Sequence, residues 1–362
     1  MKFPLIRVAS LAFIVLFMGV ADAFSQDTTS IDRNLTSVLK QTEVTAYLDY
    51  PITTGKNLIF CAAFQMAWNE LRDHILKEDA KFPNNPKTLQ MLNKKSVRKD
   101  ILDAKDYVAM AGFGKDNIVQ KINEALKQRF NDGAPLLTEE VKENDAMAYA
   151  FLFKNLTFKN PFERLDTPIH FPSTNGITTP VSSFGINKMD KSESHLKVAR
   201  QVKILFYEGS FKFAISLESQ STGDELILAR IDPGATLLET IKALDGPRKG
   251  KTSAKLRDEE SLRIPLIDFS VIHHYEDLVG WLTNAAPNDF RIAEAVQTVR
   301  FKLNEQGALL KSEGIIMLMA EGDTARNFVF DGPFLLLMRK KGQALPYFAL
   351  WVENSELLLP IN

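Results

Sequence analysis

The sequence predicts an α+β fold, with helices in its N-terminal part and large mixed or antiparallel sheets after them. Three observations lead there. Apolar residues at helical spacing fall mainly in the first part of the chain. From Asp145 onward the apolar segments mostly alternate with period two, or run as short blocks bounded by turns. Near the C-terminus two strand patterns, opening at Val299 and closing at Met338, enclose a connection too long for a passive turn.

Taken in order, Met1 to Ala23 reads as a secretory signal. Lys2 and Arg7 give a positive start, Leu11 to Val20 an apolar stretch, and Ala21-Asp22-Ala23 a small-residue cleavage site. The apolar stretch is too short to span a bilayer, and no cysteine follows it closely enough to carry a lipid. The expectation is an exported protein, secreted to the extracellular space or the periplasm, with no membrane association once the signal is removed. Residues 24–45 read as a flexible lead-in and 46–362 as a single domain. With 362 residues, 45% of them hydrophobic, the chain can bury one large core. Its net charge of −1, without a basic run, argues against nucleic-acid binding. Cys61 is the only cysteine, so no intrachain disulfide forms. Within Leu58-Ile59-Phe60-Cys61-Ala62-Ala63-Phe64 it reads as a buried small hydrophobe.

Asn57 to Leu76 places Phe64, Ala67, Trp68 and Leu71 at helical spacing and predicts a buried helix. Asp106–Gly112 reads as a short strand, and Asn117–Phe130 as an amphipathic helix burying Ile118, Ile122, Ala125 and Leu126. Gly112-Phe113-Gly114-Lys115 lacks phosphate-loop spacing and reads as the turn between them. Asp145–Lys154 is an apolar strand. Pro161–Ser192 is loop-rich, with short strands at Pro168–Phe171 and Pro180–Phe184. Val202–Tyr207, Lys212–Leu217 and Glu225–Arg230 are successive antiparallel strands. Leu237–Leu244 is a short helix, Lys249–Glu260 a charged surface loop and Leu262–Ser270 a further strand.

Catalytic patterns are absent. His273 and His274 are adjacent, so on a strand they point to opposite faces and cannot hold one metal together. His74, His170 and His195 are isolated, and neither Gly-x-Ser-x-Gly nor His-Glu-x-x-His occurs. Glu139-Glu140 and Glu259-Glu260 read as solvated faces. The expectation is a protein that is not an enzyme and uses no metal or cofactor.

The stretch that remains is Val299–Met338. Val299, Phe301 and Leu303 alternate with Arg300, Lys302 and Asn304, as in a strand with one buried face. Phe328-Val329-Phe330, a turn at Asp331-Gly332-Pro333 and the block Phe334–Met338 form a second strand region, its last part covered on both faces. Between them Ile315–Ala320 has strand composition where a loop belongs.

This layout resembles the serpin family. Asn304-Glu305-Gln306-Gly307-Ala308 is similar to the hinge before a serpin reactive loop, and Phe330–Leu335 to the motif after it. Ala148–Lys154 followed by Phe158–Glu163 resembles the strand leading into the family's Trp-Glu-x-Pro-Phe motif. Leu262–Ser270 and Tyr275–Leu278 fall in the family's order as well. The resemblance implies a single domain with a long exposed reactive loop over about 308–326, an expected monomer, and a target protease of serine or cysteine type. It implies a hinge of Glu305, Gln306, Gly307, Ala308, Leu310, Ser312 and Gly314, and a scissile bond between Glu321 and Gly322. Strand alternation puts Ala308, Leu310, Ser312 and Gly314 on the face that turns inward on insertion, with Leu309, Lys311 and Glu313 outward. Three departures stand beside it: Leu310 where the family has Ala, Phe158 where it has Trp, and Cys61-Ala62 where it has Ser-Pro. They keep two alternatives open, a non-inhibitory serpin-fold binding or structural protein, and an unrelated exported ligand-binding domain whose long loop is a lid.

Overall fold

The computed structural model describes residues 39–172, 176–187, 193–244, 254–257, 259–284, 290–308 and 326–361. The expected signal peptide and most of the lead-in lie outside them. Strand β1 (Thr42–Thr45) runs parallel to β2 (Asn57–Cys61), which leads into α1 (Ala63–Glu70), a π-helical turn over Leu71–Leu76 and α2 (Lys87–Asn93). The helix expected over Asn57–Leu76 therefore needs correction at its start. Asn57–Cys61 is wholly buried, and a short apolar run at the centre of a sheet satisfies its backbone in the ladders on either side. The helix proper buries Met66 and Trp68 with Gln65, Asn69 and Glu70, while Phe64 and Ala67 stay half-buried.

After β3 (Tyr107–Phe113), a short turn at Gly114–Asp116 enters α3 (Ile118–Phe130), and β4 (Ala146–Leu152) returns antiparallel to β3. Gly114 and Lys115 lie in the strand-to-helix turn expected, whereas Gly112 and Phe113 pair with β4 as the end of β3, and α3 buries Ile118, Ile122 and Leu126. Next come β5 (Leu156–Thr157) and the hairpin β6 (Glu163–Pro172) and β7 (Thr178–Ile186), longer than the two short strands read from the sequence. A break in register between Leu165 and Ile169 hides the alternation of β6. Helix α4 (Glu193–Arg200) precedes the meander β8 (Val202–Tyr207), β9 (Phe213–Leu217) and β10 (Asp224–Arg230), as expected. Helix α5 (Leu237–Ala243) starts on Thr236, whose Oγ1 accepts from the Glu239 amide at 3.2 Å. Strand β11 (Ala254–Lys255) pairs with β8.

The strand read at Leu262–Ser270 is two strands, β12 (Ser261–Pro265) and β13 (Ile267–His274), which enter different sheets. Pro265 brings no N–H to a ladder, and the chain changes sheet immediately after it. The last elements are β14 (Gly280–Trp281), β15 (Arg291–Ile292), β16 (Val296–Leu303), β17 (Gly307–Ala308), β18 (Asn327–Val329), β19 (Phe334–Lys340) and β20 (Phe348–Val352).

The strands form an eight-stranded sheet in the order β1-β2-β20-β19-β10-β9-β8-β11 and a four-stranded sheet β18-β12-β7-β6. Among the described strands only β1–β2 and β12–β18 pair in parallel. The α+β class with large mixed sheets is the observed one. Phe334 to Leu337 are fully buried, covered on both faces of β19; Phe171 meets Phe334 edge-on at 6.1 Å and Phe213 meets Phe330 at 5.0 Å. Each such side chain contributes about 1.5–3 kcal/mol by leaving water. Among the described residues no helix is long and apolar enough to cross a membrane.

The lead-in over 24–45 also needs correction at its end, because β1 belongs to the sheet. The Glu356 carboxylate accepts the Lys40 amide at 2.7 Å, the Gln41 amide at 2.9 Å and the Thr42 hydroxyl at 2.7 Å. Asn57 and Asn354, both buried, complete the join with an amide–amide bond of 2.9 Å. Replacing Glu356 with Ala removes one acceptor for three donors, and should lower stability by about 1–3 kcal/mol. Urea unfolding and limited proteolysis around residues 39–56 check this, and an unchanged midpoint would mean that β1 is held by β2 alone.

Candidate functional site

The expected hinge sits where two ribbons come together. Strands β3 and β4 form one ribbon, β13 and β16 the other, and α1 packs against β3, β4 and β16. One face of β4 presents Ala150 and Leu152 to the main core. The other presents Met147, Tyr149 and Phe151 to the cluster that holds α3. On β16 the buried face carries Gln297, Val299, Phe301 and Leu303, while Arg300 is exposed, as the alternation required. Phe301 stacks on Phe348 at 4.6 Å.

At one end the ribbons are joined. In β17, Gly307 lies opposite Thr157 and Ala308 opposite Leu156, both in β5. On its other side Gly307 pairs with Asn304, at the end of β16: the Asn304 amide donates to the Gly307 carbonyl at 2.8 Å. Thus β17 is flanked both by the continuation of β4 and by the end of β16. The segment after β5 fixes the turn from outside, since the Phe158 amide donates to the Gln306 carbonyl at 3.0 Å and the Phe162 amide to the Glu305 carbonyl at 2.7 Å. Phe158, standing where the resembled family has Trp, is buried and packs edge-on to Phe162 at 4.9 Å.

Gly307 has φ +146°, and a Cβ there would lie 2.6 Å from the Leu156 carbonyl oxygen and 2.8 Å from Thr157 Cα. Both the backbone conformation and the close approach require glycine. Of the other expected hinge residues, Glu305 and Gln306 form the half-buried turn and Ala308 lies in β17. Leu310, Ser312, Gly314, Glu321 and Gly322 lie outside the described residues.

Beneath the ribbons lies a polar network that sequence reasoning did not find. Gln297 Nε2 donates to the Cys61 carbonyl at 3.0 Å, and its Oε1 accepts from the Tyr275 hydroxyl at 2.7 Å. Burial pushes the Cys61 thiol up to about 11 and raises Tyr275 well above the usual phenol value. The expectation of an inert, buried Cys61 fits.

At the end of β4, buried Lys154 bridges Asp106 at 2.6 Å and Asp224 at 2.7 Å, and Asp224 also accepts from the Tyr347 hydroxyl at 3.2 Å. Desolvation, then the charge of Asp224, raises the Tyr347 phenol far above its ordinary value.

At the far foot of the expected loop, Glu260 corrects the reading of Glu259-Glu260 as a solvated face. Its side chain is 1% exposed and holds Arg326 in a two-pronged ion pair through Nε and, at 3.0 Å, Nη2. The Arg326 guanidinium also lies 5.6 Å from the rings of both Tyr207 and Phe328. Among the described residues no group of His, Cys, Asp or Glu could hold a metal ion.

No protein-family model matches the chain, and no curated protein matches it. Solved structures do. Among them are human thyroxine-binding globulin in complex with thyroxine (12% identity, TM-score 0.49) and human glycosylated kallistatin (12%, 0.48). A highly specific serpin of the insect Tenebrio molitor is another (11%, 0.46). Each match covers 83% of this chain and 92% of the other. These structures are serpins.

Two outcomes follow from the site. Gly307→Ala should cost about 1–3 kcal/mol through strain and speed hydrogen exchange at the Phe158 and Phe162 amides. Exchange unchanged at both would show that the turn tolerates a side chain. Arg326→Met removes the bidentate cation from the buried Glu260 carboxylate, leaving it the Arg257 amide at 2.9 Å and the exposed Arg257 side chain, and should cost about 3 kcal/mol. Glu260→Gln leaves the cation near solvent, and should cost about half of that. Urea unfolding of the two variants gives the order, and the reverse order would refute a buried carboxylate as the origin.

Proposed function

We propose that the protein is an exported, serpin-like inhibitor of serine or cysteine proteases that acts as a bait and not as a catalyst. The observation that carries this reading is the double flanking of β17 by β5 and by Asn304. Extending the β17–β5 pairing past Ala308 would bring Leu310 opposite Lys154, Ser312 opposite Leu152 and Gly314 opposite Ala150. Extending the pairing with Asn304 brings the same three residues opposite Phe301, Val299 and Gln297. Directly opposite residues share a face, and those three residues of β16 are buried. Both registers, so extended, would turn Ala308, Leu310, Ser312 and Gly314 inward, in line with the alternation of the sequence. Farther along, Ile316 and Leu318 would come opposite Ala148 and Ala146, small residues that leave room for large ones.

In this mechanism the target protease attacks the carbonyl of Glu321 with its own serine or cysteine, and the Glu321–Gly322 bond breaks. The amine of Gly322 leaves, and Glu321 stays esterified to the protease. The freed segment adds as a strand between β4 and β16, in the manner known for serpin loops. The strand carries the acyl-enzyme with it before water can hydrolyse the ester. The protein contributes the scissile carbonyl and the stored edge, and the protease contributes the nucleophile.

One observation favours a second reading, a serpin-like binding protein that does not inhibit. Leu310 would enter against buried Lys154 and Phe301, and overfilling such a place costs about 1–3 kcal/mol.

The test is incubation with trypsin-like, Glu-specific and papain-like proteases, followed by electrophoresis in SDS. The expected result is an SDS-resistant complex, a first cut within Ala308–Arg326, and a sharply raised melting temperature of the cleaved chain. Ala308→Arg would bury an unpaired charge at a cost of several kcal/mol, so it should be cut without complex formation. Complexes that form equally well with Ala308→Arg would rule out insertion at this hinge. Cutting within the window without a complex or a gain in melting temperature favours the binding reading. First cuts only outside it refute the bait loop.

A further inference from the structure

Glu218, immediately after β9, draws three lysines to one carboxylate. Lys159 Nζ lies 2.7 Å from Oε2, Lys203 Nζ 2.7 Å from Oε1 and Lys255 Nζ 3.5 Å from Oε1. The lysines come from separate parts of the chain: the segment after β5, strand β8 and strand β11. Lys203 and Lys255 stand directly opposite each other across the β8–β11 pair, where like charges are unfavourable. One lysine would neutralise Glu218. The second and third add mutual repulsion and ordering of long side chains, for which exposed ion pairs return little. Lys255 has one structural explanation, since its ammonium also donates to the Arg200 carbonyl at the end of α4. Among the described residues nothing comparable accounts for Lys159 together with Lys203.

Among the described residues, three ammonium groups against one carboxylate leave a local surplus of two positive charges. The side chains of Lys159, Lys203 and Lys255 are 47%, 38% and 48% exposed, so a ligand from solvent can reach them. Each ammonium has three donors and spends one on Glu218. Hydrogen bonds from Lys159, then Lys203, hold the Glu218 carboxyl down at about 2, so the carboxylate stays ionised and keeps the ammonium groups gathered across the neutral range.

We propose that Lys159, Lys203 and Lys255, gathered around Glu218, form a binding site for a doubly charged phosphate or sulfate group. Such a group matches the surplus in charge, and its oxygens accept from ammonium groups converging from three directions. Glu218 pre-gathers the lysines when no ligand is present and opposes the ligand when one arrives, which keeps the affinity moderate. The site goes beyond the inhibitor reading and does not rest on it.

The test is calorimetric titration of the folded chain at low ionic strength with inorganic phosphate and with sulfate. Inorganic polyphosphate and a sulfated oligosaccharide, which carry the same groups on a polymer, form two further arms. The expected result is saturable binding of at least one free ion, weakened about tenfold or more when Lys203 and Lys255 are both replaced by Ala. The corresponding Arg variants should retain it, and circular dichroism should show all variants folded. Glu218→Gln should bind several-fold tighter than the natural chain, because the competing carboxylate is gone while the lysines remain. A mere ion-pair network would not produce that gain. Whichever polymer binds more tightly identifies the carrier of the group. Titrations that never saturate, affinity unmoved by the double Ala variant, or no gain in Glu218→Gln would each overturn the site.

Discussion

Backbone N–H and C=O groups at a strand edge need partners, and helices cannot supply them from above or below. That constraint governs the centre of this molecule. Strand β4 pairs with β3 and β16 pairs with β13, while α1 beneath them covers side chains and leaves the edges as they are. Among the described residues, only Gly307 and Ala308 reach from one ribbon towards the other as a ladder. A two-residue bridge at one end of two ribbons is the place from which the proposed inserted strand would be extended.

The two feet of that connection are held by different physics. At the near foot the hold is steric and directional: a glycine without room for a methyl group, and two amides that donate to the carbonyls of Glu305 and Gln306. At the far foot it is electrostatic, a buried carboxylate gripping Arg326. Lys154, with Asp106 and Asp224, stands at the near end of β4. Buried ion clusters rarely add net stability over apolar packing, but breaking one is expensive. Their effect here is to allow few alternative positions for the segments they join.

How much of this was legible depends on how local each signal is. The meander β8 to β10, the one-sided β16 and the doubly covered β19 announce themselves by period and composition within a few residues. Gly307 stands in the expected hinge as a lone glycine in the sequence, but the oxygen that excludes a side chain there belongs to Leu156. Asn57–Cys61 was misread because a short apolar run has no period of its own, and the helical spacing that follows it spread backwards. The break between β12 and β13 carried its own warning in Pro265. Glu260 had no local signal, since Arg326 is 66 residues away. The same holds for Lys154 with Asp224, 70 residues apart, and for Gln297, whose partner carbonyl belongs to Cys61, 236 residues away.

The order of strands in the large sheet has a consequence for the time at which the protein becomes itself. Among the described strands, β1 and β2 connect to the rest of that sheet only through β20, the last of them, and Glu356 follows it. The first residues of the domain therefore wait for almost the last before they can close. Such long-range closure makes folding slow and leaves the apolar strand Asn57–Cys61 uncovered meanwhile, an aggregation hazard if chains meet. For a chain exported as proposed, the same delay would keep β1 and β2 apart from the rest of the large sheet until β20 has crossed, so that this sheet would be completed only on the far side.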